Sequence, residues 1–241
     1  KFRRKFRLPY PVFVELVEIC RETGESCFCY AVSTLTREHS IPLELKIMSA
    51  LRVLAVGCGF EAVADMTNYM SETSVRIFFH SFCHAVRIHL GHIYIKALEG
   101  ERLIRSMQTY ARLALPGCAG SLDAVFIAWN RVPDHLANVC KGEKGMGVLF
   151  NVVVTHEGLV LNVQKPVYAT INDKISVKYN EFVEQLANRE IYENVVYRVR
   201  TGPGDDDWIE LSTVYLIVDG GYIEIEVLIC YFDIVLRYSP T

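Results

Sequence analysis

The apolar residues of this chain change their period at Leu115-Pro116-Gly117, and that change limits the fold more than any other feature. Before it, apolar residues recur every three to four positions, as on one face of a helix. After it, they alternate or run unbroken, as in strands. The chain therefore reads as α/β (α+β overall), with a helical region over 1–114 and a mixed region over 115–241. Its 241 residues are 51% hydrophobic, enough for one large domain or two smaller ones and unlike a disordered chain.

In the helical region, Pro9 and Pro11 precede a helical pattern over 12–22. From 42 to 90 the pattern is helical throughout. Leu43, Leu45, Ile47, Leu51 and Leu54 form an apolar stripe, ended by Gly57 and Gly59. A short helix over 60–67, a turn at 68–71 and a longer helix from Glu72 towards Leu90 follow. Ser71 is a good N-cap, and Val75, Phe78, Phe79 and Phe82 would face inward. Short helix, tight turn and longer helix make a helix-turn-helix pattern, which would offer Glu72, Thr73, Ser74 and Arg76 to a DNA groove. An ordinary helical hairpin has the same pattern. The basic start, with Arg3, Arg4 and Lys5 between Phe2 and Phe6, reads either as a phosphate-contacting arm or as the solvated first turn of an amphipathic helix. His80, His84, His89 and His92 cluster near the end of this region, but H-x-x-x-H lacks the Glu of the zinc-protease motif. Solvated or locally satisfied histidines are the simpler reading.

In the mixed region, strands are expected over 122–129, 148–155 and 159–167, the last two joined by a turn at 155–158. A helix is expected over 173–187, with Asn172 as N-cap and Ile175, Tyr179, Phe182, Val183 and Leu186 on one face. A polar insertion containing 202–207 precedes an apolar strand at 214–218, which ends at Asp219-Gly220-Gly221-Tyr222. The run over 223–236 is strand or short helix. The order β-β-β-α-β is how a ribonuclease H-like domain begins.

Charge gives no global argument for nucleic acid, since the net charge is −3. Residues 1–100 carry 12 Lys and Arg against 10 Asp and Glu, and residues 101–241 carry 13 against 18. The longest apolar stretch, 47–60, is interrupted by Arg52 and falls short of the ~20 residues of a membrane span. The eight cysteines lack paired metal-site spacing. They read mostly as reduced, buried, small hydrophobes in an intracellular protein. The chain opens on Lys1 rather than Met and stops at Thr241, so both ends are expected to be those of a fragment.

Two acids stand out by context. Asp123 interrupts an apolar strand, a costly place for a carboxylate unless it is paired or binds metal. Asp219 ends the apolar strand before two glycines, a natural site position in α/β domains. If those strands are neighbours, the two carboxylates converge on an oxygen-rich site suited to Mg²⁺ or Mn²⁺. Asp173, in the first turn of a helix, could instead simply complement the helix dipole.

Several blocks resemble the PIF/Harbinger class of DDE transposases and their domesticated nuclease-like relatives. They are the runs 2–11, Ala50 to Leu54 with Gly57 to Phe60, 70–80, Leu115 to Asp123, Ile127 to Trp129, Asn172 to Lys174, and Val218 to Tyr222. They occur in the family's order and span nearly the whole chain. The resemblance implies a helix-turn-helix region followed by a ribonuclease H-like catalytic domain. It implies Asp123 and Asp219 as the first two catalytic acids and metal ligands, with Asp173 a further metal ligand. Asp123 would bridge two Mg²⁺ ions and Asp219 hold one, the arrangement for DNA hydrolysis and strand transfer. It also implies DNA and a Myb/SANT-like DNA-binding protein as partners, leaves room for an oligomer, and places the chain in the nucleus rather than at a membrane.

The run after Asp123 departs from the family, with Ala124 and Phe126 where Gly and a polar residue are common. The family's third acid is a Glu on a later helix. Glu224 and Glu226 lie too close to Asp219 to replace it, and Asp233 falls in an apolar run. The triad is therefore expected to be incomplete and activity impaired. Two other readings stay open: a non-catalytic, domesticated DNA-binding or interaction protein, and a plain α/β domain with structural acids.

Overall fold

The computed structural model describes residues 1–29, 41–202, 204, 207–220, 222 and 225–230; for Asp173 and Lys174 it describes the backbone. The chain is mixed α/β and divides into two compact units, Lys1–Ile93 and Tyr94–Thr241. The boundary read from the sequence lay after residue 114. The helix before it, α6 below, clusters with the sheet and packs on its first strand.

The first unit is helical: α1 Phe2–Phe6, α2 Tyr10–Glu22, α3 Leu43–Val56, α4 Phe60–Thr67 and α5 Glu72–Tyr94. Its core follows helical spacing. Phe13, Val17 and Cys20 of α2, Leu43, Ile47 and Ala50 of α3, and Val75, Phe78, Phe82 and Ala85 of α5 are buried together with Val63 and Met70. The stripe expected on α3 is thus rotated: Leu54 is exposed, and Ala50 takes the inner position. Gly57 and Asn68 end α3 and α4 in the left-handed conformation, with φ of 65° and 55°. The Ser71 hydroxyl accepts the Ser74 N–H at 3.2 Å and caps α5.

The second unit begins with α6 Gly100–Arg112 and β1 Cys118–Ala128. Then come α7 Ala137–Cys140, β2 Lys141–Gly142, β3 Gly145–Val154, β4 Val160–Val163, β5 Val167–Tyr168, α8 Asp173–Ser176 and α9 Glu181–Ala187. A separate hairpin of β6 Tyr197–Arg200 and β7 Trp208–Leu211 precedes β8 Tyr215–Val218 and β9 Leu228–Cys230. The sheet runs β2-β3-β1-β8-β9, with β4 and β5 also on β3. β1 and β4 are antiparallel to β3, whereas β8 is parallel to β1, and β9 to β8. Leu122, Val153, Leu161, Leu216 and Leu228 of the strands pack with Phe182, Val183 and Leu186 of α9 and Leu103 of α6. Tyr110 and Leu115 pack separately against Cys118 and Tyr215.

Four expectations are corrected here. The first strand starts at Cys118, four residues early, and the third divides into β4 and β5 around Lys165-Pro166, since proline cannot donate to a ladder. The helix over 173–187 is broken. A 3-10 turn at Val177–Tyr179 leads to Asn180, whose buried side chain accepts the N–H groups of Phe182 at 3.0 Å and Val183 at 3.2 Å. Asn180 competes successfully with the continuing helix and starts α9. Ile175 and Tyr179, expected on the inner face, are consequently exposed, while Phe182, Val183 and Leu186 are buried. The polar insertion carries the β6–β7 hairpin. Of the last apolar run, β9 is described; residues 223, 224 and 231–236 lie outside the described residues.

Asn180→Ala removes both cap bonds from a buried site and should lower the unfolding free energy by about 1–2 kcal/mol. Asn180→Ser, which retains an acceptor, should lose less. Urea titration of the two variants beside the parent chain measures the difference.

Candidate functional site

Alternation along β1 determines how Asp123 is presented. Leu122 is 2% exposed and faces the core, so Asp123 projects to the other side and is exposed. Its Oδ1 accepts the N–H of Ala124 at 2.7 Å. On one side Asp123 is registered with Val152 of β3. On the other, Ser121 is registered in parallel with Ile217 of β8. Asp123 and Asp219 each stand two residues beyond that last pair, at the same end of adjacent strands, whose spacing is ~4.8 Å. Asp219 is exposed just past β8, and its carbonyl accepts the Tyr222 N–H at 3.5 Å, closing a turn. Asp173 is the first residue of α8, whose start is closed by Ile175 and Ser176 N–H groups donating to the Asn172 carbonyl, both at 2.9 Å.

Sequence reasoning missed the polar side chains beneath this region. Asn151, 1% exposed on β3, is registered with Ala124, the residue after Asp123. Its Nδ2 donates to Gln164 Oε1 at 2.7 Å and to Ser176 Oγ at 2.9 Å, and its Oδ1 accepts from the Tyr222 hydroxyl at 3.4 Å. Gln164 Nε2 donates to the Ser176 carbonyl at 3.0 Å. The signal that singled out Asp123, one polar residue inside an apolar strand, was equally present in Phe150-Asn151-Val152.

Two hollows border the sheet. A cleft of about 380 Å³ is lined by Lys141, Lys144, Thr170 and Asn172 among others. It brings two cations to one hollow with Asn172, the residue before Asp173. A larger cavity, about 690 Å³, opens between α6 and residues 190–198. Gly117 allows its formation: at φ 85° the glycine leaves room for the Tyr197 ring, where a Cβ would clash. Neither Asp123 nor Asp219 lines that cavity.

In the helical unit, Arg3, Arg4 and Lys5 are exposed on α1 while the Phe2 ring packs tilted against Phe13, with centroids 5.1 Å apart. The Lys5 carbonyl accepts from Arg52 at 2.9 Å, tying α1 to α3. Thr73 and Arg76 are exposed at the start of α5. Arg76 lies 3.7 Å from Glu72, and the Ser74 hydroxyl is 2.9 Å from that of Ser71 within the cap. The four histidines are not gathered. His89 Nε2 meets Glu25 at 2.9 Å, His92 Nδ1 meets the Ile88 carbonyl at 3.2 Å, His80 packs beside Phe60 and Phe79, and His84 is exposed. Among the described residues, no group of three His, Cys, Asp or Glu side chains could hold a metal ion.

All eight cysteines are free thiols. Only Cys20, Cys118 and Cys140 are buried and Cys29 is exposed, which corrects the expectation that most lie in the core. Burial pushes the Cys20 and Cys118 thiols up to about 12, with a smaller contribution from Cys27 at Cys20.

Compared with known proteins, the chain matches no family model, no curated protein and no solved structure. No helix among the described residues is long and apolar enough to cross a membrane.

The raised thiols give stability a pH dependence. Between the ordinary thiol value of 9.0 and about 12, the unfolded chain loses protons that folded Cys20 and Cys118 retain. Their contribution is therefore complete below about pH 9 and falls as pH rises. Urea midpoints should drop from pH 9 upward, and Cys118→Ala should flatten that drop. In the native chain a thiol reagent followed by mass spectrometry should label Cys29 first.

Proposed function

We propose that this chain is a metal-dependent DNA nuclease of ribonuclease H-like architecture, related to the PIF/Harbinger class of DDE transposases. Its reaction is phosphodiester hydrolysis and strand transfer. The observation that carries this reading is the parallel register of β1 and β8, which puts Asp123 and Asp219 at one end of adjacent strands. The antiparallel trio β1, β3 and β4, the helical crossover and the parallel fourth strand support it.

The donor set fits Mg²⁺ or Mn²⁺. Both acids offer hard oxygen ligands on an exposed surface, and Mg²⁺ is commonly held by one or two carboxylates plus water and substrate phosphate. When bound, the metal supplies charge neutralisation and an activated nucleophile. Asp123 and Asp219 hold and orient it, and Asp173 supplies a further ligand from α8. Lys141 and Lys144 take the phosphate backbone at the neighbouring cleft. Arg3, Arg4 and Lys5 form a basic arm, and Thr73 and Arg76 meet a groove; Ser74 serves there chiefly as part of the helix cap. DNA contact of this kind positions the chain without reading sequence, a role that suits a nuclear protein working beside a Myb/SANT-like DNA-binding partner or as an oligomer.

A second reading is a non-catalytic DNA-binding protein that kept the fold. It is favoured by the exposed Arg3, Arg4 and Lys5 of α1, which can meet phosphate without a metal.

Mn²⁺ titration and nicking of supercoiled DNA separate the two. On the nuclease reading, Asp123→Asn and Asp219→Asn each weaken Mn²⁺ binding about tenfold or more and abolish nicking, while salt-sensitive DNA binding survives. Unchanged Mn²⁺ binding in both variants removes the metal site. In that case, DNA binding that weakens in Arg3→Ala/Arg4→Ala supports the non-catalytic reading.

A further inference from the structure

Asn151, Gln164, Ser176 and Tyr222 form a polar cluster in an otherwise apolar layer. Val153, Leu161 and Val177, their close neighbours in sequence, are 0%, 2% and 1% exposed. Burying Asn151, Gln164 and Ser176 there, with Tyr222 half-buried beside them, gains little over apolar residues of similar volume. What hydrogen bonds add is direction, because each holds its partners at a fixed distance and angle. Asn151 is at the centre: both Nδ2 hydrogens and its Oδ1 are engaged, and its carbonyl accepts the Gln164 N–H at 2.9 Å.

The segments joined in this way are those that carry the candidate acids. Asn151 is registered with Ala124, next to Asp123. Ser176 ends the four-residue helix that begins at Asp173. Tyr222 closes the turn that begins at Asp219. Among the described residues Tyr222 is the one member on the segment after β8, so its 3.4 Å bond to Asn151 ties that turn to the layer beneath β1.

We propose that Asn151 is a positioning residue. Through Tyr222 and Ser176 it fixes the spacing of the segments that begin at Asp219 and Asp173 relative to β1, so that the Asp123 and Asp219 carboxylates are preset for a divalent cation. This rests on the two-carboxylate reading of the site. Conserving the bonds matters more than conserving the volume, and the smallest informative change is one hydroxyl.

The test is Mn²⁺ binding to the full chain, followed by electron paramagnetic resonance, with thermal unfolding in parallel. Tyr222→Phe removes one hydroxyl and should weaken Mn²⁺ binding about tenfold with little change in unfolding temperature. Asn151→Leu should weaken it at least as much if the variant folds. Leu186→Ala, which opens the core beneath α9 without touching the cluster, should lower the unfolding temperature and leave Mn²⁺ affinity unchanged. Unaltered affinity in Tyr222→Phe, alongside lost binding in Asp123→Asn, overturns the positioning role and leaves the metal site standing. Equal loss of affinity in Leu186→Ala overturns it too, by making metal binding follow global stability. If Asp123→Asn binds Mn²⁺ like the parent chain, the two-carboxylate reading itself falls, and the positioning role with it.

Discussion

The parallel pairing of β1 with β8 governs the second unit, because a parallel neighbour cannot be reached by a tight turn. The chain must leave the sheet after β5, cross through α8 and α9, form the β6–β7 hairpin and return beside the strand where the sheet began. That detour covers the sheet with Phe182, Val183 and Leu186 and buries Leu122 and Leu216 almost completely. Full burial of a side chain of this size stabilises by roughly 1.5–3 kcal/mol. The same pairing brings two acids, distant in sequence, to one level. Both carboxylates belong to exposed residues beyond the last registered pair, where water screens their repulsion.

Much of this order was legible because period carries it. Helical spacing located α2 and set the inner face of α5, and alternation or unbroken apolar runs located β1, β3 and β8. Two apolar positions that continued a helical stripe ended exposed for different reasons. The Leu54 position continues the apolar stripe of α3 yet is exposed, since packing partners, not periodicity, choose which apolar residues are covered. Tyr179 continues the stripe of a helix that Asn180 interrupts. A single cap residue overrode a pattern spread over many positions, because buried N–H groups must be satisfied and the Asn180 side chain was close enough to do it.

The candidate site was legible in part for the same reason. An acid inside or just after an apolar strand demands an explanation, and both Asp123 and Asp219 announce themselves that way. Their common level could not be read from the sequence, because register is set by long-range pairing and the crossover between them has no fixed length. The basic residues of α1 and the first turn of α5 were visible as charges, but not that Ser74 turns its hydroxyl to Ser71.

Asp123 and Asn151 show how one sequence signal can have two physical resolutions. Each is a polar residue between apolar neighbours in a strand, and β1 and β3 run side by side in register. Asp123 cannot be buried without a large desolvation cost, so strand alternation exposes it. Asn151 carries no charge, and hydrogen bonds to three side chains meet the cost of burial. Since Asp123 is registered with Val152 and Asn151 with Ala124, the exposed acid and the buried amide occupy successive rungs on opposite faces of the sheet. A shift of β3 by one residue would move Asn151 to the exposed face and break its contacts to Gln164, Ser176 and Tyr222 at once. The polar cluster therefore resists slippage of the pairing that presents Asp123, and stability and site geometry are held by the same rungs.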